Sequence, residues 1–271
     1  MPNYEAEYNN RQRVPESAEI AARWQAASAA YTRSAHAELD LPYGAGARQR
    51  YDLFRARRPR PALMLYIHGG YWQRGDRKDY AFVAGAFNES GIDVAVPSYS
   101  LCPATTVMEI VAEMRQCLAA VWRKTAMRPV VIGHSAGGHL AAAMLATNWQ
   151  QSAALPQTPV AAACAVSGIF ELAPLVGTSI NEALRLDGAA AERASPLLWP
   201  APTRGQTLIA AVGELESGEF HRQSRAIAAH WEAAGLQTEY RSVPGTNHFT
   251  IVDQLVDPTS PLFRRITALL P

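Results

Sequence analysis

A chain of 271 residues, 48% hydrophobic and with a formal net charge of +1, carries enough apolar sequence for one large core and too little basic excess for a polyanion binder. Its three cysteines, Cys102, Cys117 and Cys164, are scattered without a C-x-x-C spacing, which argues against a disulfide scaffold or a zinc knuckle and for a reducing compartment. No run approaches the ~20 apolar residues that span a bilayer, and Met1-Pro2-Asn3-Tyr4-Glu5 lacks the basic-then-apolar order of a signal peptide. The expectation is a cytoplasmic protein with neither membrane nor nucleic acid as a partner.

Residues 1–15 are polar and read as irregular. Over 17–37 an Ala-rich stretch sets Ile20, Trp24, Ala27 and Tyr31 at helical spacing, so one face can pack on a body. Segments 38–43 and 49–54 alternate around Gly44-Ala45-Gly46, the pattern of an antiparallel hairpin. The arginines at 48, 50, 55, 57, 58 and 60 form a local cluster in a chain without global basic charge and read as its solvated face. Ala62-Leu63-Met64-Leu65-Tyr66-Ile67 is then continuously apolar, as expected for a strand covered on both faces.

Strands and helices alternate from there. Helices are predicted over 80–90, 106–124, from 136 to about 148, 217–234 and 261–270, and strands over 92–96, 129–132, 160–166, 207–212 and 238–243. This order describes an α/β fold: a mostly parallel central sheet with an N-terminal antiparallel hairpin and helices on both faces, in one domain over 1–271. The stretch 168–203 is too long for an ordinary connection and reads as a small cap over the site, with a helix at 179–186.

Chemistry centres on Gly133-His134-Ser135-Ala136-Gly137, a G-x-S-x-G elbow between an apolar strand and an Ala/Leu-rich helix. A neutral serine is a poor nucleophile, so Ser135 requires a base and a group to orient that base, and in this topology the order is Ser, acid, His. His248 stands just past the last strand, in Val243-Pro244-Gly245-Thr246-Asn247-His248, and is the candidate base. His134, inside the elbow, is suited to orienting a neighbour, and His139 to local packing or hydrogen bonding. The acid should follow strand 207–212, where only glutamates stand. Glu216, third after Gly213, is favoured and Glu214 is the alternative. His68-Gly69-Gly70 follows the first central strand, where the fold supplies oxyanion donors. The amides of Gly69, Gly70 and Ala136 are the candidates.

These stretches resemble the α/β-hydrolase superfamily and, more narrowly, the arylformamidase (kynurenine formamidase) group. The narrowing rests on His68-Gly69-Gly70-Tyr71-Trp72-Gln73, on Gly133 through Leu140, on Ser179-Ile180-Asn181-Glu182-Ala183-Leu184-Arg185-Leu186 with Ser195-Pro196-Leu197, and on Val212-Gly213-Glu214 through Phe220. The resemblance implies hydrolysis of N-formylkynurenine to kynurenine and formate without metal or organic cofactor. Carried over by position, Ser135 is nucleophile, His248 base and Glu216 acid, with Tyr71 and Trp72 as an aromatic wall. The family usually has Asp where this chain has Glu216, which leaves the acid's geometry and the substrate preference open. A small formyl group asks for a tight acyl pocket and an aromatic leaving-group site, for which Tyr71, Trp72 and Phe170 are the candidates. The expected partner is a small aryl amide or ester, and a homodimer is compatible with this reading. The alternatives are a broad carboxylesterase or amidase and a noncatalytic ligand-binding member of the fold.

Overall fold

The apolar runs become the middle of one eight-stranded sheet. Its strands are β1 (Ala37–Pro42), β2 (Arg50–Phe54), β3 (Leu63–Ile67), β4 (Asp93–Pro97), β5 (Pro129–His134), β6 (Ala162–Val166), β7 (Thr207–Gly213) and β8 (Gln237–Val243), in the order β1-β2-β4-β3-β5-β6-β7-β8. The structure, a computed structural model, describes residues 2–152, 155, 158–202 and 205–270. Met1 and Pro271, at the ends of the expected domain, and Thr203, at the end of the expected cap, lie outside the described residues. Every residue of β3, β4, β5 and β6 is buried, because helices cover both faces, whereas β1 and β8 at the edges are half exposed. The β1–β2 and β2–β4 pairs are antiparallel and the remaining pairs parallel, which is the expected mixed sheet.

The helices are α1 (Tyr4–Tyr8), α2 (Asn10–Arg13), α3 (Ser17–Ser34), α4 (Ala84–Glu89), α5 (Val107–Thr125), α6 (Ala136–Leu145), α7 (Trp149–Ser152), α8 (Asn181–Leu184), α9 (Gly188–Arg193), α10 (Gly218–Ala233) and α11 (Pro261–Thr267). Helix α5 starts at a capping box, in which the Thr106 hydroxyl accepts from the Glu109 N–H and the Glu109 carboxylate accepts from the Thr106 N–H. Helix α6 is buried on all sides, as its small and apolar sequence, His139 apart, allows. Two apolar layers fill the two faces of the sheet, one around α5, α6 and α10, the other around α3, α4 and α11.

Three expectations change. The segment read as irregular before residue 16 contains α1 and α2, capped by the Asn3 and Asn9 side chains, which accept from the Ala6 and Gln12 N–H groups. The helix expected over 80–90 is a 3-10 turn, Ala81–Val83, followed by α4. The cap helix expected over 179–186 shortens to α8, and α9 and the 3-10 turns Ala173–Leu175 and Pro196–Leu198 supply the rest of the insertion. Among the described residues no helix is long and apolar enough to cross a membrane.

Candidate active site

At the end of β5 the chain turns sharply into α6 through Ser135, whose φ of 58° and ψ of −120° lie where a side chain is strained. The crossing demands glycine on both sides. A Cβ at Gly133 would lie 1.9 Å from the Gly137 carbonyl oxygen, and one at Gly137 only 2.0 Å from that of Ile67 on β3. The turn is held by the Ser135 N–H donating to the Val166 carbonyl at 2.8 Å and the Gly138 N–H donating to that of Ser135, also at 2.8 Å.

The loops after β7 and β8 press together, so that a Cβ at Gly213 would meet the Thr246 carbonyl oxygen at 2.5 Å. That contact brings acid to imidazole: His248 Nδ1 lies 2.6 Å from Glu216 Oε2, and both side chains are buried. The second carboxylate oxygen accepts from the Gly213 N–H at 2.7 Å and from the Ser167 hydroxyl at 2.5 Å. The glutamate thus folds back over its own turn, which takes up the methylene it has beyond an aspartate. With Nδ1 donating to the carboxylate, the His248 Nε2 is left as the basic nitrogen. Glu214 is exposed and accepts from the Gly245 N–H at 2.8 Å, bracing the turn before His248 without reaching its ring.

His134 supports the imidazole from the other side. Its Nε2–H donates to the His248 carbonyl at 2.7 Å and the rings lie 4.8 Å apart. Burial, then the neighbouring His248, push its pKa down to about 3, so it stands neutral. His139 donates from Nε2 to the Ala194 carbonyl at 2.7 Å, tying α6 to the cap.

The loop after β3 runs along the serine. A Cβ on Gly69 would lie 2.9 Å from that of Ser135 and 2.8 Å from the His134 carbonyl oxygen, so only glycine lets this backbone approach. Gly70, Tyr71 and Trp72 follow with φ of 112°, 50° and 56°, a left-handed run closed by the Gln73 and Arg74 N–H groups donating to the Gly70 carbonyl, both at 3.1 Å. His68 beneath it stacks on Tyr99 at 4.3 Å and on Tyr80 at 5.6 Å, and burial lowers its pKa to about 4. Ala136, the residue after the serine, is fully buried at the first turn of α6.

Ser135 and His248 open onto one cavity of about 420 Å³, within the range of small-molecule sites. Tyr71 lines it. Trp72 and Phe170, expected beside Tyr71, do not: both are fully buried in the core. In the left-handed turn Trp72 packs edge-on against the His139 ring at 5.0 Å, and Phe170 folds back over Gly168. Their place is taken by residues of α2 and α3 that the sequence does not mark as part of a site, including Asn10, Arg11 and Trp24. For the N-terminal segment the only signals are the Asn caps and the Tyr4–Tyr8 spacing, too short to register as periodicity. Ser167 also escapes sequence reasoning, because a single hydroxyl after a strand carries no pattern. Among the described residues no group of three or more His, Cys, Asp or Glu side chains is arranged to hold a metal ion.

Comparison with known proteins agrees with this architecture. The α/β-hydrolase fold family matches residues 64–252. The chain is 32% identical over 227 residues to a kynurenine formamidase of Danio rerio, covering 81% of this chain and 77% of that one. A kynurenine formamidase of Drosophila melanogaster is 29% identical over 226 residues, covering 79% and 75%. Among solved structures, a Silicibacter protein provisionally assigned as a thioesterase superposes with a TM-score of 0.89 at 29% identity, covering 98% of this chain and all of that one. Esterase B from Lactobacillus rhamnosis, at 19% identity and a TM-score of 0.69, covering 99% of this chain and 96% of that one, shares the fold. The elbow, the loop after β3 and the loops after β7 and β8 all lie inside the matched region, and the chain belongs to the α/β-hydrolase family, in the company of the kynurenine formamidases.

Proposed function

We propose that this hydrolase cleaves aryl formamides, N-formylkynurenine among them, releasing formate through a formyl-enzyme on Ser135. The observation that carries the reading is the buried His248–Glu216 pair, at 2.6 Å, opening with the strained Ser135 onto a single cavity. Ser135 Oγ attacks the formyl carbon while its proton passes to His248 Nε2. Glu216 holds the imidazole in the reactive tautomer and offsets the charge it acquires. The tetrahedral oxyanion meets the amides of Gly69, Gly70 and Ala136. The C–N bond then breaks, and the arylamine leaves with the proton from His248. Water, deprotonated by the same imidazole, hydrolyses the formyl ester to formate and restores the serine. These steps call for no metal or organic cofactor. The kynurenine formamidase relatives support the formamide as substrate. Three buried free cysteines support a reducing, cytoplasmic setting.

A comparison of kcat/KM for N-formylkynurenine and for short p-nitrophenyl esters tests the substrate class. The formamide is expected to be the better substrate. Turnover of the esters with none of the formamide would leave a broad carboxylesterase instead.

A further inference from the structure

The acyl-transfer steps leave three charged side chains of the cavity unused. Arg11 on α2, Arg74 in the turn after Gly70 and Asp79 line the same cavity as Ser135 and His248. Several arginines that pack on the body are matched: Arg23 with Asp253, Arg55 with Asp93, Arg77 with Asp52, Arg222 with Glu171. Arg11 and Arg74 are not; neither makes an ion pair or side-chain hydrogen bond among the described residues. They stand close enough to oppose one another, since burial, and next the charge of Arg11, lower the pKa of Arg74. Both are exposed to solvent at the cavity wall, and two guanidinium groups without a protein counter-ion there are free to receive an anion.

Asp79 supplies the opposite sign. Its Oδ1 accepts from the Gln25 amide at 3.1 Å and its Oδ2 from the Asp76 N–H at 3.1 Å, and no Lys or Arg pairs with it among the described residues. Burial, helped by Asp76, raises its pKa, a shift that a bound cation would reverse. The cavity that Ser135 lines therefore also offers two cations and a carboxylate that have no ion partner among the described residues. Its volume, about 420 Å³, exceeds what a formyl group and an aryl ring require.

We propose that Arg11 and Arg74 receive the carboxylate, and Asp79 the ammonium, of a zwitterionic α-amino-acid head carried by the substrate. The site then selects aryl formamides that bear such a head over those that lack it, an inference that rests on the formamidase reading. Arg74 is well situated for this, because its own N–H closes the turn of the loop that approaches Ser135. A substrate gripped there has its far end fixed by the same loop that faces its reacting carbonyl.

The test compares formate release from N-formylkynurenine and from 2-formamidoacetophenone, which keeps the aryl formamide and lacks the amino-acid head. In the unaltered enzyme kcat/KM should favour the amino acid by about 10- to 100-fold, mainly through KM, as expected for charge-assisted contacts. That ratio should collapse towards one in an Arg11→Gln/Arg74→Gln double variant and fall in part in Asp79→Asn. Each ratio compares two substrates on the same preparation, so a partly misfolded variant does not alter it. Equal efficiencies in the unaltered enzyme, or a ratio unmoved by the double variant, would overturn the subsite while leaving the formamidase intact. Failure of both formamides would remove the formamidase reading, and the subsite with it.

Discussion

At the scale of single residues, the candidate site is a set of close approaches that tolerate few side chains. Ser135 holds a positive φ because Gly133, Gly137 and Gly69 each leave room where a Cβ would collide with backbone. A Gly69→Ala substitution should therefore push the β3 loop off the serine. We expect turnover to fall by about 10²-fold or more, the usual cost of losing an oxyanion donor, with the fold retained by circular dichroism. The two glutamates after β7 separate cleanly. Glu216→Gln leaves an amide against His248 Nδ1 and should lower kcat by about 10⁴, as tautomer-disrupting changes do in serine proteases. Glu214→Gln, remote from the ring, should stay within a few-fold. Loss confined to the Glu214 variant would reverse the assignment. Ser135, His248 and a glutamate near 216 are legible in the sequence because strand ends and glycines announce where such residues stand. Trp72 and Phe170 are not, because a sequence does not say which side of a left-handed turn enters the core, and Ser167 gives no sign that its hydroxyl reaches Glu216.

At the scale of elements, the cavity is closed by the segment whose sequence looks least structured. Tyr8 at the end of α1 is fully buried; its hydroxyl donates to Glu219 at 2.8 Å and accepts from the Gln223 amide at 2.8 Å. The Tyr71 hydroxyl donates to the Tyr8 carbonyl and accepts from Asn10 at 3.3 Å. Glu5 accepts from both the N–H and the hydroxyl of Ser179 in the cap, at 2.8 and 2.7 Å. Helices of five and four residues have no stability of their own, so these contacts to α10, the cap and the β3 loop hold them in place. Tyr8→Phe would take one hydrogen bond from each of Glu219 and Gln223, which keep Arg222 and the Glu171 carbonyl as partners, at about 1–3 kcal/mol for the two buried bonds together. A melting temperature lower by roughly 2–10 °C is expected, together with a raised KM, because Asn10 and Arg11 shift with the segment. An unchanged KM alongside the lower melting temperature would mean that α1 and α2 stabilise the fold without shaping the cavity. The long strands and helices are readable from periodicity over many residues. The short N-terminal and cap helices are not, because tertiary contacts rather than local pattern define them.

At the scale of the whole molecule, the sheet supplies rigidity and its buried histidines supply a pH dependence. The central strands and their helices follow from apolar runs alternating with helical patterns, and the antiparallel hairpin from its glycine turn, so the amino-acid pattern alone carries the fold class. His68 and His139 have pKa values pushed down to about 4, and His134 to about 3, each chiefly by burial. All three are neutral when folded but take up protons near 6.5 when unfolded. Their contribution to stability is thus full above about pH 6.5 and is lost as pH falls towards 4 and then 3, by up to about 1.4 kcal/mol per pH unit for each. Urea midpoints should drop steeply between pH 6.5 and 4, and a His139→Gln variant should show a shallower slope. A flat profile would mean that these rings are not held neutral.

The most direct test of Ser135 as the nucleophile of a formamidase is formate release from N-formylkynurenine by the unaltered protein and by Ser135→Ala, with folding checked by circular dichroism. The serine is buried at a glycine-bounded turn, and alanine keeps its Cβ there while removing only the hydroxyl, so the variant should fold normally. The unaltered protein should turn the substrate over, and the variant should lose several orders of magnitude, on the order of 10⁶ by analogy with a serine protease. Formate release retained by a folded Ser135→Ala protein would rule out the acyl-enzyme on this serine.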